Sequence, residues 1–226
     1  MKYKTVEPGR FVSRPNRFIA KAEMNGVVET VHVKNTGRCK ELLTPGATIY
    51  LEKGTTPGRK TGWDLIAVKK GDMLVNMDSQ APNKVFGEWA DAGNFTSGTL
   101  KVHREVTFGD SRLDFMIETE EGPHYIEVKG VTLEDDGRAR FPDAPTERGV
   151  RHIHELIRAV EMGYSASLVF IVQMRPILSV SPNDETQPEF GEALREATKK
   201  GVRIHAYQCV VTPDSLIIDK EIPVIL

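Results

Sequence analysis

Ser111-Arg112-Leu113-Asp114-Phe115 and Tyr125-Ile126-Glu127-Val128-Lys129 lie ten residues apart and read as the two arms of a β-hairpin. Side chains alternate along a strand. Arg112, Asp114 and Met116 therefore share one face, and Leu113, Phe115 and Ile117 share the other, which faces a core. In the second arm Tyr125, Glu127 and Lys129 lie together, with Ile126 and Val128 on the buried side. A tight turn centred on Glu120-Glu121 sets Asp114 across from Glu127. Two facing carboxylates repel unless something positive stands between them.

A divalent cation supplies that charge. Mg²⁺ and Mn²⁺ take oxygen ligands, usually one or two carboxylates completed by water and a substrate phosphate. Lys129, two residues beyond Glu127, reaches the same cavity and can hold or deprotonate an attacking water. Asp114, Glu127 and Lys129 thus form a complete catalytic set for metal-dependent phosphodiester hydrolysis. The same string also fits the wet face of an antiparallel pair on which Lys129 neutralises two acids.

The chain has 226 residues, 39% of them hydrophobic, enough for one large domain or two modest ones with a proper core. No run approaches the roughly 18 to 20 apolar residues of a membrane span, and Met1-Lys2-Tyr3-Lys4-Thr5 lacks the apolar stretch of a secretory signal. A cytoplasmic protein with no membrane partner is expected. Cys39 and Cys209 are far apart, which excludes a zinc cluster or a disulfide scaffold and leaves two reduced thiols.

The net charge of −2 hides an asymmetry. Residues 1–80 hold 14 Lys and Arg against 8 Asp and Glu, a net of +6, and residues 81–226 hold 16 against 24, a net of −8. A basic front suits a domain that follows a phosphate backbone, and an acidic back suits one that concentrates carboxylates for a metal.

The first 80 residues read as short strands cut by turns. Phe18 to Met24 and Val27 to Lys34 flank Asn25-Gly26, a favoured two-residue hairpin turn. Further strands are expected at Thr48 to Glu52, Trp63 to Lys69 and Met73 to Asn76, which together suggest a small oligonucleotide-binding barrel. Its loops carry Arg14, Arg17, Arg38, Arg59 and Lys60, candidate phosphate contacts, with Phe11, Phe18, Tyr50 and Trp63 as stacking or core aromatics.

Beyond Ser79-Gln80-Ala81-Pro82-Asn83, Val85, Phe86 and Trp89 form the apolar stripe of a short helix ending at Gly93, with Glu88 beside it. Strands follow at Leu100 to Phe108, Arg112 to Ile117 and Tyr125 to Val131. Asp143 as cap, Pro145 and Glu147 then start a helix that runs to about Met162 and stops at Gly163. Ser167 to Gln173 reads as a strand buried on both faces. A helix over Pro188 to Lys200 and strands at Val202 to Tyr207 and Ser215 to Ile218 complete the order. Ile153, Leu156, Ile157 and Val160 form the apolar side of the first long helix and leave Arg148, Arg151, His152 and Glu155 roughly opposite, where Arg148 can clamp a phosphate oxygen and His152 can donate to one. His152 and His154 diverge by about 200° on a helix and cannot share a metal, so neither is assigned as a ligand.

Arg14-Pro15-Asn16-Arg17-Phe18, Asn35-Thr36-Gly37-Arg38, Arg59-Lys60-Thr61, Pro82-Asn83, the hairpin segments continued to Gly130-Val131-Thr132, and Phe141-Pro142-Asp143-Ala144 through Thr146-Glu147-Arg148-Gly149 occur in this order. They resemble the sugar fermentation stimulation protein (SfsA) family almost end to end. The resemblance implies an N-terminal OB-fold-like β-barrel over residues 1–80 and a PD-(D/E)XK nuclease-like α/β domain over 81–226. It also implies DNA binding without strong sequence preference and a regulatory link to maltose metabolism. In the nuclease-like fold the helix before the hairpin contributes an acid, which here is Glu88, so Glu88, Asp114 and Glu127 are the implied metal ligands. The chain departs from the family pattern with Cys39 where methionine is usual and Arg151 where lysine is usual, and neither change touches those acids.

Two functions follow: a Mg²⁺- or Mn²⁺-dependent phosphodiesterase acting on DNA, or RNA, through backbone contacts, and a non-catalytic DNA-binding regulatory factor. Intact acids favour the first, because a pure binder gains affinity by losing carboxylates that repel phosphate. A sugar-processing enzyme is disfavoured, since a glycosidase needs two acids across a sugar-sized cleft and the 7% aromatic content offers no evident sugar platform. The oligomeric state is not encoded in any motif.

Overall fold

The computed structural model describes residues 1–35 and 37–226; Thr36, part of one quoted motif, lies outside the described residues. Six strands come first: β1 (Val6–Asn16), β2 (Ile19–Met24), β3 (Val27–Val33), β4 (Thr48–Lys53), β5 (Trp63–Lys70) and β6 (Met73–Asn76). They run β3-β2-β1-β4-β5-β6, and β3 also pairs in parallel with β5 at His32↔Asp64 and Val33↔Leu65, which closes a five-stranded barrel. Asn25 and Gly26 form the expected turn, with φ of 50° and 79°, the doubly positive backbone that a tight hairpin of this kind requires. β1 was not expected, because Pro8, Gly9 and Pro15 break its pattern. Pro8 is tolerated because β1 changes partner midway: Val6 to Arg10 pair with β4, and Arg10 to Asn16 pair with β2.

The second part contains α1 (Ala81–Asp91), β7 (Thr99–Phe108), β8 (Ser111–Thr119), β9 (Gly122–Val131), β10 (Leu133–Asp135), β11 (Arg138–Phe141), α2 (Glu147–Glu161), β12 (Ser165–Val172), β13 (Ser179–Pro182), α3 (Pro188–Lys199), β14 (Arg203–Thr212) and β15 (Ser215–Glu221). Its main sheet runs β15-β14-β12-β9-β8-β7, with β12 parallel to both β9 and β14. That central position explains why β12 is buried on both faces from Ala166 onward. The short β10, β11 and β13 form a separate sheet that was not expected, since pieces of three and four residues are too short to show a periodicity.

α1 covers one face of the main sheet through Val85 and Phe86, packed with Phe115, Ile126 and Val128. α2 lies on the other face, where Ile153 and Leu156 join Leu113, Leu168 and Phe170 in a cluster that continues into the barrel core at Val31 and Leu51. The two parts are therefore welded by one continuous apolar cluster. Pro188 opens α3 as expected. The N-cap of α2 is Thr146 instead of Asp143: its hydroxyl accepts the Gly149 N–H at 3.0 Å. Asp143 lies three residues too early to reach that amide.

Candidate active site and nucleic-acid surface

The hairpin register agrees with the sequence. Phe115 pairs with Ile126 and Thr119 with Gly122, so Glu120 and Glu121 occupy the turn, and the ladder ends one residue short of Asp114 and Glu127. The faces differ from expectation in one respect. Leu113, Phe115 and Ile117 are all buried, yet Leu113 enters the α2-side cluster while Phe115 and Ile117 enter the α1-side cluster. The strand thus rotates at Asp114, beside a break in its other ladder where Glu105 takes a φ of 54°. This rotation lets the Asp114 carboxylate replace a backbone partner. Its Oδ2 accepts the Val128 N–H at 2.9 Å, and its Oδ1 accepts from Asn83 Nδ2 of α1 at 2.7 Å.

Glu127 is not on a wet face. Only 2% of it is exposed, because α2 lies over it. Its Oε1 accepts from Lys129 Nζ at 2.6 Å and from His152 Nδ1 at 2.5 Å. Arg148 Nε in turn donates to His152 Nε2 at 3.2 Å, which leaves Nδ1 as the proton-bearing nitrogen that faces Glu127. His152, expected opposite the apolar side of the helix as a donor to phosphate, is instead a buried link between Arg148 and Glu127. The apolar stripe of α2 gave no sign of it; the one available signal was its place one turn from Arg148 on the side facing the hairpin.

Glu127 Oε2 is buried and has no hydrogen-bond partner. Burial pushes the Glu127 carboxyl up, but the His152 hydrogen bond and the Lys129 charge outweigh it and hold the group below the usual carboxylate range. Asp114 moves the other way: burial and then the Glu127 charge push it up, against the Val128 amide, Lys129 and Asn83. The two acids thus sense each other, and Glu127 carries the charge more firmly. The donor set fits a hard divalent cation: an unpartnered buried carboxylate oxygen beside a second carboxylate, with the nearest ammonium already bound to the other oxygen.

Glu88 does not join them. It lies half exposed on α1 and pairs with the Met1 amine at 2.8 Å. Asn83, five residues earlier and about 140° around the helix, is the α1 residue that meets Asp114. Among the described residues no three His, Cys, Asp or Glu side chains gather as a metal cluster.

The expected phosphate contacts divide by what holds them. Arg14 is committed to the fold: its guanidinium donates to the carbonyls of Arg17, Asn35, Gly37 and Arg38 at 2.6 to 2.9 Å. Arg59 makes a two-pronged pair with the buried Asp64. Arg17, Arg38, Lys60, Arg148 and Arg151 remain exposed. Arg17 lies over the ring of Phe18, 5.5 Å from its centroid, and Phe18 itself is half exposed. The loop behind them reaches the second domain, since Gly37 abuts the Asp143 carboxylate a few residues before α2 and Arg148. Asn16, Arg17, Arg38, Lys40 and Leu43 line a cavity of about 280 Å³ on this side of the barrel.

Comparison with known proteins decides the family. Residues 12–77 match the SfsA N-terminal OB domain, and residues 80–215 match the sugar fermentation stimulation protein RE domain. The chain belongs to the sugar fermentation stimulation protein (SfsA) family. A sugar fermentation stimulation protein homolog of Ruminiclostridium cellulolyticum is 52% identical over 99% of both chains, and one of Desulfitobacterium hafniense is 54% identical over 96% of this chain and 94% of the relative. The structure of Pyrococcus furiosus SfsA in complex with Ca²⁺ superposes with a TM-score of 0.90 at 29% identity, covering 100% of this chain and 98% of that one. Membership of the family carries the fold, an OB barrel followed by an α/β domain. No helix among the described residues is long and apolar enough to cross a membrane.

Proposed function

We propose that this protein is a cytoplasmic, divalent-metal-dependent phosphodiesterase that grips DNA, or RNA, by its backbone with little regard to sequence. The observation that carries this reading is Glu127: a buried, ionised carboxylate with one oxygen fixed by His152 and Lys129 and the other left without a partner beside Asp114. Burying an uncompensated carboxylate oxygen is costly unless a cation or donor meets it. The Ca²⁺ in the Pyrococcus furiosus relative supports a divalent ion in this family.

Asp114 and Glu127 would hold Mg²⁺ or Mn²⁺, which when bound neutralises charge that develops on phosphoryl oxygens. The chain's own groups do the remaining work. Asn83 and the Val128 amide fix both oxygens of Asp114, and His152 fixes the rotamer of Glu127. Lys129, with its ammonium at the edge of the site, orients a water and assists its proton transfer. Arg148 backs His152 from an exposed position where it meets a phosphate of the strand. Arg17, Phe18 and Arg38 extend the track onto the barrel, where a base stacks on Phe18 and the cations follow the backbone.

End-labelled single- and double-stranded DNA and RNA, incubated with the protein in Mg²⁺, Mn²⁺ or EDTA, test this reading. Backbone cleavage in metal, absent in EDTA and absent from Glu127→Gln, is the expected result. Binding of every substrate without cleavage in either metal overturns it.

A further inference from the structure

A second charged cavity lies away from the carboxylates. It has a volume of about 320 Å³ and opens where the N-terminal segment, the end of β4 and the first turn of α1 meet. Lys2, Lys4, Lys34, Lys53, Arg59 and Lys84 surround it, against Glu52 and Asp64. The remaining wall is Gly54, Thr55 and Thr56, so no apolar side chain lines it.

The acids of this wall are already engaged. Asp64 is held by Arg59 and by His32 Nδ1, the latter at 3.0 Å. Glu52 accepts the Lys4 backbone N–H at 3.2 Å and lies 3.7 Å from Lys34. Lys34 is drawn 3.0 Å from the buried Asp78, and Lys2 pairs with Asp214 at 3.2 Å. Lys4, Lys53 and Lys84 make no ion pair among the described residues. Three segments distant in sequence thus bring three ammonium groups without counterions around one cavity. Like charges so placed repel, and a multiply charged anion removes that penalty by meeting all three. The Thr55 and Thr56 hydroxyls add neutral donors.

We infer that this cavity is a binding site for a multiply charged phosphate group, distinct from the Asp114–Glu127 site. The all-polar wall selects the phosphate itself and provides no platform for a base or an acyl chain. The cavity is larger than a single phosphate requires and admits a diphosphate. Two sources offer that chemistry: a free polyphosphate or nucleotide, and the phosphorylated end of a nucleic-acid strand. Lys84 follows Asn83 on α1, so occupancy would be felt one residue from the group that holds Asp114. The inference does not depend on catalysis, and its test is run without divalent metal.

The probe is inorganic pyrophosphate, titrated calorimetrically into the full-length protein in EDTA. Saturable one-to-one binding is expected. Lys53→Ala and Lys84→Ala, both at exposed positions, should each weaken it about tenfold or more, the worth of one hydrogen bond to a charged group. Lys199→Ala, exposed at the end of α3, should leave it unchanged. Competition of pyrophosphate against 5′-phosphorylated and 5′-hydroxyl oligonucleotides then separates the sources: displacement of the phosphorylated strand alone assigns a strand end, and displacement of neither assigns a free anion. Absence of saturable binding, or equal affinity in wild type, Lys53→Ala and Lys84→Ala, overturns the inference.

Discussion

Replacing Glu127 separates its part in the fold from its part in holding a cation. Glu127→Ala removes the acceptor of two hydrogen bonds, from Lys129 at 2.6 Å and from His152 at 2.5 Å. The His152 N–H is then buried without a partner and the largely covered Lys129 ammonium loses its counter-charge. Truncating one member of a buried pair costs about 3 to 5 kcal/mol. Glu127→Gln keeps the volume and an amide oxygen that can accept the same bonds. Only the charge is lost, and the cost should fall to about 1 to 2 kcal/mol, the difference between a charge-assisted hydrogen bond and a neutral one. Both variants lose the unpartnered anionic oxygen and should lose Mn²⁺ binding equally. Urea unfolding gives the first quantity and calorimetric Mn²⁺ titration the second. A Gln variant that binds Mn²⁺ like wild type would refute the placement of the ion on Glu127, and a Gln variant as unstable as the Ala variant would refute the partition of its energy.

Other substitutions separate the remaining roles. Lys129→Ala should leave Mn²⁺ bound but slow cleavage by roughly 10² to 10⁴, measured in single turnover with saturating metal; an unchanged rate removes Lys129 from the chemistry. Arg14→Ala should destabilise the protein by about 2 to 3 kcal/mol in urea, because four carbonyls lose a charged donor, yet leave the salt dependence of DNA binding unchanged. Arg17→Ala should do the reverse, reducing the slope of log affinity against log salt by about one. Burial, followed by the charges of Arg203 and His205, pushes His124 down to about 3. A depressed histidine favours the folded state above its unfolded value of about 6.5 and loses that contribution as pH falls toward 3, at a limiting slope of about 1.4 kcal/mol per pH unit. His124→Gln, which can keep the bond to Ser167, should flatten the stability profile across this window, read from urea midpoints at pH 4 to 7.

The parts that were legible from sequence are those fixed by local periodicity. The alternation of β8 and β9 around Glu120-Glu121 gave the turn and the register that leads to Asp114 and Glu127, because a two-residue turn leaves only one register that buries the apolar faces. Asn25-Gly26 gave the barrel hairpin for a similar reason. What α2 contributes was not legible. The 3.6-residue stripe identified Ile153 and Leu156 as buried, but the sheet that α2 covers is wide enough to bury His152 as well, and only tertiary packing decides that a polar residue beside the stripe is enclosed. The same limit explains the arginines. Arg14 and Arg17 are indistinguishable as loop cations in the sequence, and the difference between them is the set of carbonyls that the folded loop turns toward Arg14.

Glu88 shows how a motif's residue type can be right for a role that geometry gives to its neighbour. A helix packed beside the hairpin presents one narrow face to Asp114, and residues five apart are separated by about 140°. Val85 and Phe86 fix that rotation by their burial between α1 and the sheet, so Asn83 faces the carboxylate while Glu88 turns to the Met1 amine. An amide in that position changes the electrostatics of the site. It donates to Asp114 and favours its ionised form, whereas a third carboxylate would raise the repulsion that Asp114 already meets from Glu127. A pair of acids steadied by an amide can therefore remain folded before a cation arrives, with His152 and Lys129 holding the charge of Glu127 in the meantime.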